Sequence, residues 1–280
     1  MTDLDGKPPR TLIIRAAGTN CDRELAHAFE TAGARCAMVH VNRLIERPDL
    51  VDEFEMIGVP GGFSYGDDIA AGRIFANRLR HHLLDPLRAA ADRGVPIIGI
   101  CNGFQVLVKL GLLPDPVTAP TQTATLADNR SGRFIDRWVG LDVAPATRCV
   151  WTRGLDRVEL PIAHGEGRFV ADEKVLARLR EQGQVALRYA RAAAADGIRG
   201  GFHGNPNGSA DDIAGICDPT GVVLGLMPHP ERFVTVTQHP AWPRMDDRQR
   251  IATPDGLRMF ENAVQHVRER VSGGGCRVPG

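Results

Sequence analysis

A cysteine with a glycine two positions away on either side, Gly99-Ile100-Cys101-Asn102-Gly103, is the stretch of this chain best suited to covalent chemistry. The apolar run Val95 to Ile100 ends on it, and Phe104 to Leu110 continues at helical spacing until Gly111. A strand that turns sharply into a helix needs small neighbours, because the backbone doubles back and leaves the nucleophile exposed. Cys101 would sit at a helix N-terminus, where free amides and the dipole favour a thiolate. A buried strand-end cysteine fits the same five residues.

A thiolate attacking a carbonyl needs a base, a group that orients the base, and donors for the developing oxyanion. Met227-Pro228-His229-Pro230-Glu231-Arg232 follows the apolar run Val222 to Leu226. Two prolines keep His229 out of a helix. Residues two apart in an extended chain project the same way, so Glu231 can hold the His229 imidazole in one tautomer. A surface loop with a solvated His and Glu is the plain alternative. Pro60-Gly61-Gly62-Phe63-Ser64-Tyr65-Gly66-Asp67-Asp68 also follows a strand directly, and its glycines let amides turn toward a ligand. The amides of Gly62 and Asn102 are the expected oxyanion donors. Gln105, one turn into the helix, either lines a substrate pocket or caps a loop. His164-Gly165-Glu166-Gly167-Arg168-Phe169 is compatible with an acid–base pair or half a metal site. It lacks a third ligand at metal spacing, so a structural turn or ligand-gating loop is expected there, and no metal site. The chain has no G-x-x-x-x-G-K-[ST] segment to cradle ATP phosphates.

These groups need a frame. Leu12 to Ile14, Cys36 to Val41, Phe54 to Val59 and Val95 to Ile100 read as strands. Helical patterns lie between them: Asp22 to Ala32, and a long helix-rich stretch from Ile69 to Ala91, whose basic face, Arg73 to Arg80, is solvated or faces a partner. The alternation implies a parallel sheet with flanking helices, and functional groups gather beyond the carboxyl ends of such strands. Past Gly111 the pattern changes. Residues 114–131 read as a long loop, and Phe134 to Trp151 and Val185 to Tyr189 as strands of an added antiparallel section. Gly200 to Gly208 is turn-dense. Asp218-Pro219-Thr220-Gly221 is a hairpin turn. Residues 238–254 form a polar excursion, and Asp255 to Val271 a last helix. One domain over residues 1–271 is expected, with a disordered tail over 272–280.

Composition narrows the function classes. The chain has 280 residues, 43% of them hydrophobic, enough for a sizeable core. Lys plus Arg and Asp plus Glu both number 34, which argues against a general nucleic-acid or membrane-surface binder. Six widely spaced cysteines form no C-x-x-C pair. With no signal-peptide pattern and no membrane-length apolar run, a reducing cytoplasm is the expected location.

Together these segments resemble the class I glutamine amidotransferases, which implies a flavodoxin-like α/β fold. Within them they resemble the glutaminase subunits of phosphoribosylformylglycinamidine synthases. The Gly61-to-Asp68 segment is similar to that family's oxyanion loop, Cys101 to Gln105 to its nucleophile elbow, and Met227 to Arg232 to the end of its triad. His164-Gly165-Glu166-Gly167 and Asn205-Pro206-Asn207-Gly208-Ser209 separate this subfamily from other amidotransferases. The resemblance implies Cys101 as nucleophile, His229 as general base and acid, Glu231 as its orienter, and Gln105 and Phe63 as substrate contacts. It further implies hydrolysis of glutamine through a thioester, with the ammonia passed to a formylglycinamidine ribonucleotide synthetase subunit. That partner would use ATP and Mg, with no cofactor in this chain; a third small subunit stays open. The alternatives are a glutaminase serving another acceptor and a stand-alone cysteine hydrolase. The chain departs from the family pattern at Lys109, where an acidic residue is expected, and in the lengths of 114–131 and 238–254.

Overall fold

The computed structural model describes residues 7–68, 71–115, 122–191 and 204–273. Strands β1 (Arg10–Arg15), β2 (Arg35–His40), β3 (Met56–Val59) and β4 (Ile97–Ile100) alternate with helices α1 (Asp22–Thr31), α2 (Val41–Glu46), α3 (Arg73–His82) and α4 (Leu84–Asp92). Helix α5 (Asn102–Leu110) leaves β4 directly. Then come β5 (Ala124–Asp128), β6 (Ile135–Val143), β7 (Arg157–His164), β8 (Glu166–Ala171), α6 (Glu173–Glu181) and β9 (Val185–Tyr189). The chain closes with β10 (Ile213–Cys217), β11 (Val223–Leu226), α7 (Asp247–Ile251) and α8 (Asp255–Gly273).

Nine strands form one sheet in the order β2-β1-β3-β4-β11-β10-β9-β6-β7. The run from β2 to β11 is parallel and the remainder antiparallel. This is the expected α/β frame with its antiparallel addition. The parallel strands are near-continuous apolar runs because helices cover them: Leu12, Ile13, Ile14, Ile57, Ile97, Ile98 and Ile100 have no solvent exposure. Helices α1 and α8 meet through Phe29 and Phe260, ring centroids 4.9 Å apart. Register matters most at the carboxyl ends of the central parallel strands. Val59 pairs with Gly99, and Ile100 with Leu226, so β3, β4 and β11 end side by side. The segments that follow them are Gly61-Gly62, Cys101 and Met227 to His229.

Several expected boundaries differ. The stretch Ile69 to Ala91 holds two helices, because Pro86 in the first turn of α4 has no N–H for the His82 carbonyl. Residues 114–131 contain β5, which pairs antiparallel with β8 in a separate two-stranded sheet. Its short alternation is easily hidden in polar surroundings. The His164-to-Phe169 segment is therefore strand rather than gating loop: it closes β7 and, after a turn at Gly165, opens β8. Phe134 to Trp151 is strand only over β6. The excursion 238–254 is partly internal: His239 is buried, its ring 4.4 Å from that of Trp138. Helix α8 runs through Ser272 to Gly273, and 274–280 lie outside the described residues, as do 116–121 of the expected long loop and 200–203 of the turn-dense one. No helix of the described residues is long and apolar enough to cross a membrane.

Candidate active site

Cys101 occupies a strained turn. Its φ is +53°, in the left-handed region that residues with a side chain rarely enter. Its amide donates to Leu226 O at 2.8 Å, which ties the turn to β11. The two flanking glycines have separate reasons. A Cβ at Gly103 would stand 2.0 Å from Val59 O, and one at Gly99 would stand 2.6 Å from Gly103 O. Strand β3, strand β4 and the first turn of α5 approach this closely only without side chains. The thiol is largely buried but lines a cavity of about 470 Å³, where it reaches Ala163 O at 3.7 Å.

His229 enters the same cavity from the end of β11, its amide held by Pro161 O of β7 at 2.8 Å. Its Nδ1 lies 2.6 Å from Glu231 Oε1, and both side chains are shut from solvent. A carboxylate acceptor requires the proton on Nδ1. Burial disfavours the imidazolium, but the Glu231 carboxylate and the nearby Cys101 sulfur prevail and raise His229 to about 10. Its Nε2 makes no hydrogen bond among the described residues, which leaves it for sulfur and substrate. Gly61 packs against both: a Cβ there would meet His229 Cε1 at 3.2 Å and Cys101 Cβ at 3.4 Å.

Gly62 has φ +124°, and a Cβ on it would strike Asn20 at 2.6 Å. This unusual backbone is laced to the loop after β1. Phe63 N donates to Gly18 O at 3.0 Å, Tyr65 N to Ala17 O at 2.7 Å, and Cys21 N to Gly61 O at 3.4 Å. The Asn102 amide is the first of α5 and has no acceptor within the helix. Its side chain centres a buried network: Ser64 Oγ donates to Asn102 Oδ1 at 2.6 Å, and Asn102 Nδ2 donates to Asp67 and Gln105, each at 3.0 Å. Gln105 Nε2 in turn donates to Glu166 O at 2.6 Å, so Gln105 forms cavity wall while pinning β8. Phe63 stands at the rim, 52% exposed.

Residues 8–267 match the family model of the CobB/CobQ-like glutamine amidotransferase domain. A phosphoribosylformylglycinamidine synthase subunit PurQ from Dehalococcoides mccartyi is 46% identical over 93% of this chain and 98% of its own length. The chain belongs to the PurQ family. A PurQ subunit from Thermus thermophilus is 40% identical over 92% of this chain and 99% of its own. The structure of PurLQS from Thermotoga maritima aligns with 92% of this chain and 99% of that chain, at 32% identity and a TM-score of 0.67. The glutaminase domain of Trypanosoma brucei CTPS with bound acivicin, 14% identical with a TM-score of 0.56 over 92% of this chain and 94% of that chain, shares the fold.

In this PurQ-family chain the expected Cys101, His229, Glu231, Gly62, Asn102, Gln105 and Phe63 converge beyond the carboxyl ends of β3, β4 and β11. Sequence reasoning missed Cys21, whose thiol lies in the same cavity. Arg232 Nη2 donates to its sulfur at 3.2 Å and Nε to Glu24 at 3.1 Å, a brace from α1 to the residue after Glu231. Burial, then the Glu231 charge, push the Cys21 thiol far up, so it stays protonated and is no second nucleophile. Cys21, His229 and Glu231 carry ligand-type atoms within 4.8 Å of one another. His229 Nδ1 and Glu231 Oε1 are spent on each other and the Arg232 guanidinium faces the sulfur, an arrangement that suits an acid–base pair better than a cation cage. His164, read as part of a turn, is buried with Nδ1 3.0 Å from Asn129 Oδ1, and burial followed by the His229 charge lower it to about 4. Its ring lies over Gly167, where a Cβ would come within 2.3 Å. The Asn205-to-Ser209 segment proves to be a brace. Asn205 Oδ1 accepts from the amides of Asn207, Gly208 and Ser209, and Asn207 Nδ2 donates to Gly167 O at 2.8 Å.

Proposed function

We propose that Cys101, His229 and Glu231 are the catalytic triad of a glutaminase subunit that feeds ammonia to a formylglycinamide ribonucleotide-amidating synthetase in purine synthesis. One observation carries the reading. A cysteine held at a strained strand-to-helix turn shares a cavity with a buried, carboxylate-oriented histidine. The Cys101 sulfur attacks the side-chain carbonyl carbon of glutamine, forming a C–S bond. Charge moves to the carbonyl oxygen, which the Gly62 and Asn102 amides are placed to receive. Protonated His229 gives its proton to the amide nitrogen, the C–N bond breaks and ammonia leaves. Water, deprotonated by the now neutral His229, attacks the thioester and releases glutamate and the thiol. Glu231 holds the ring and offsets its charge throughout. Gln105 and Phe63 shape the wall and rim of the glutamine pocket.

The PurQ relatives are subunits, and the Thermotoga maritima protein is part of an assembly named PurLQS. Ammonia is accordingly passed to a PurL-type synthetase in a complex that includes a small PurS-type subunit. ATP and Mg act on the synthetase, and this chain needs no cofactor. The glutaminase unit spans residues 1–271 and works in the cytoplasm. Mixing the chain with its cognate synthetase and small subunit tests this reading. Glutamine should support amidine formation, and omission of this chain should leave only the reaction with free ammonium salts. Equal rates from glutamine with and without the chain would refute it.

A further inference from the structure

Two large apolar side chains are left in water at the mouth of the catalytic cavity. Phe134 is 57% exposed and Phe63 52%, and both stand on the rim of the pocket that holds Cys101. Exposed phenylalanines gathered at one opening mark a contact surface more than scattered ones do. Beside them lies a cationic groove of about 720 Å³ walled by Arg73, Arg78 and Arg80 of α3 and Lys109 of α5. The hydrogen-bond acceptors of these cations are neutral, and the carboxylates close enough to act on Lys109 are Asp67 and Glu166. Arg78 donates to Tyr65 Oη at 2.9 Å, Arg80 to Lys109 O, and Lys109 Nζ to Ala71 O at 2.6 Å. Arg73 is exposed in the first turn of α3, which carries no acidic residue of its own, although Asp67 accepts from the Gly72 amide at the start of the helix at 3.3 Å. Burial pulls the Lys109 ammonium down from its ordinary range. In a chain of zero net charge, three arginines and Lys109 against Asp67 and Glu166 leave a local positive surplus that an anionic neighbour would relieve.

The groove and the cavity share a wall. Ala71, whose carbonyl receives Lys109, lines the cavity, and Gln105 and Lys109 are one turn apart on α5. We infer that Phe134 and Arg73 belong to one docking collar around the cavity mouth, and that its occupant is an acidic face of the ammonia-accepting synthetase carrying an apolar contact at its centre. This rests on the ammonia-donor reading above. Ammonia formed at Cys101 leaves through this mouth, so the surface that covers it is the one that receives the product. Phe63 belongs to the loop of Gly62, so a partner that buries Phe63 also fixes the oxyanion backbone.

The test is a titration of the cognate synthetase and small subunit with this chain, at low and high salt, reading glutamine-dependent amidine formation. Arg73→Glu places an acid in the first turn of α3, which the helix dipole favours, so it does not weaken the fold. It should raise the midpoint concentration at least tenfold and abolish most of its salt dependence, with glutamine hydrolysis by the free chain unchanged. Phe134→Ala should raise the midpoint about tenfold or more. A wild-type midpoint in either variant overturns the collar. So does a change in the self-association of the free chain with the synthetase titration unaltered, which would assign the face to a second copy. Failure of the wild-type chain to support any glutamine-dependent synthesis is a different result: it removes the ammonia-donor reading and the collar with it.

Discussion

His229 and Glu231 are joined by a 2.6 Å contact with neither side chain open to solvent. A buried carboxylate is tolerated only when paired, so each of the two is the reason the other can be there. Replacing Glu231 with Gln leaves the shape and removes the charge that keeps His229 protonated. Glutamine turnover should fall by roughly 10²–10⁴-fold, as for other triads that lose the acidic member. Ammonia-dependent synthesis by the complex should not change. Retention of most glutaminase activity would show that the ring is oriented by something else.

The same pair gives stability a pH dependence of defined sign. The folded imidazole keeps its proton up to about pH 10, against an ordinary value of 6.5. A group raised on folding stabilises fully below its unfolded value, and that contribution is lost as pH rises through the folded one. Urea midpoints should therefore decline across the window from 6.5 to about 10. Glu231→Gln should flatten the decline. A wild-type midpoint independent of pH there would contradict the assignment of charge to His229.

Cys101→Ala should abolish glutamine-dependent synthesis, by at least about 10³-fold, while the assembled complex still uses free ammonium. Labelling by a glutamine-like electrophile should vanish in the same variant. Labelling that persists at Cys21 would contradict the protonated, braced thiol described for it.

Gly103→Ala tests the elbow as architecture. The added methyl falls 2.0 Å from Val59 O, a backbone atom that cannot swing aside. Destabilisation of roughly 2–4 kcal/mol is expected, in the range of overpacked cores, with loss of activity. A variant of native stability would mean that β3 and α5 can separate without consequence.

Asn207→Ala tests the brace behind His164. It removes the donor to Gly167 O and leaves that buried carbonyl unpaired, at a cost of about 1–3 kcal/mol. Thermal melting measures it. Unchanged melting would return the segment to the status of an ordinary surface loop.

The fold and the triad were legible where the signal is local. The apolar run into Cys101 and its two glycines act within a few residues, and the structure bears out the turn they imply. The extended segment expected around His229 is instead a bend entering a short 3-10 helix, Pro230–Arg232, because a proline is well placed at the first position of a helix, and His229 still meets Glu231 there. Helix α6 was equally local and was overlooked: Asp172 caps it through Val175 N, and Val175, Leu176 and Leu179 mark its buried face. What could not be read depends on pairing between distant segments. Ser64 with Asn102, Cys21 with Arg232, and β5 with β8 have no signature in either partner alone. The brace role of Asn205 and Asn207 was hidden for another reason: polar residues rich in turn formers look the same whether they face water or hold a strand from behind.

Strands β4 and β11 are hydrogen-bonded neighbours in matched register, so the gap between Cys101 and His229 is set by the spacing of a β-ladder. The chain running from one to the other is released from that duty. Among the described residues of the antiparallel half, the end of β7 and the start of β8 touch this site, through Pro161 O on the His229 amide, Ala163 O beside the Cys101 thiol and Glu166 O on Gln105. Insertions or deletions elsewhere in that half leave both residues where they were, so its outer surface is free to diverge with whatever it must meet.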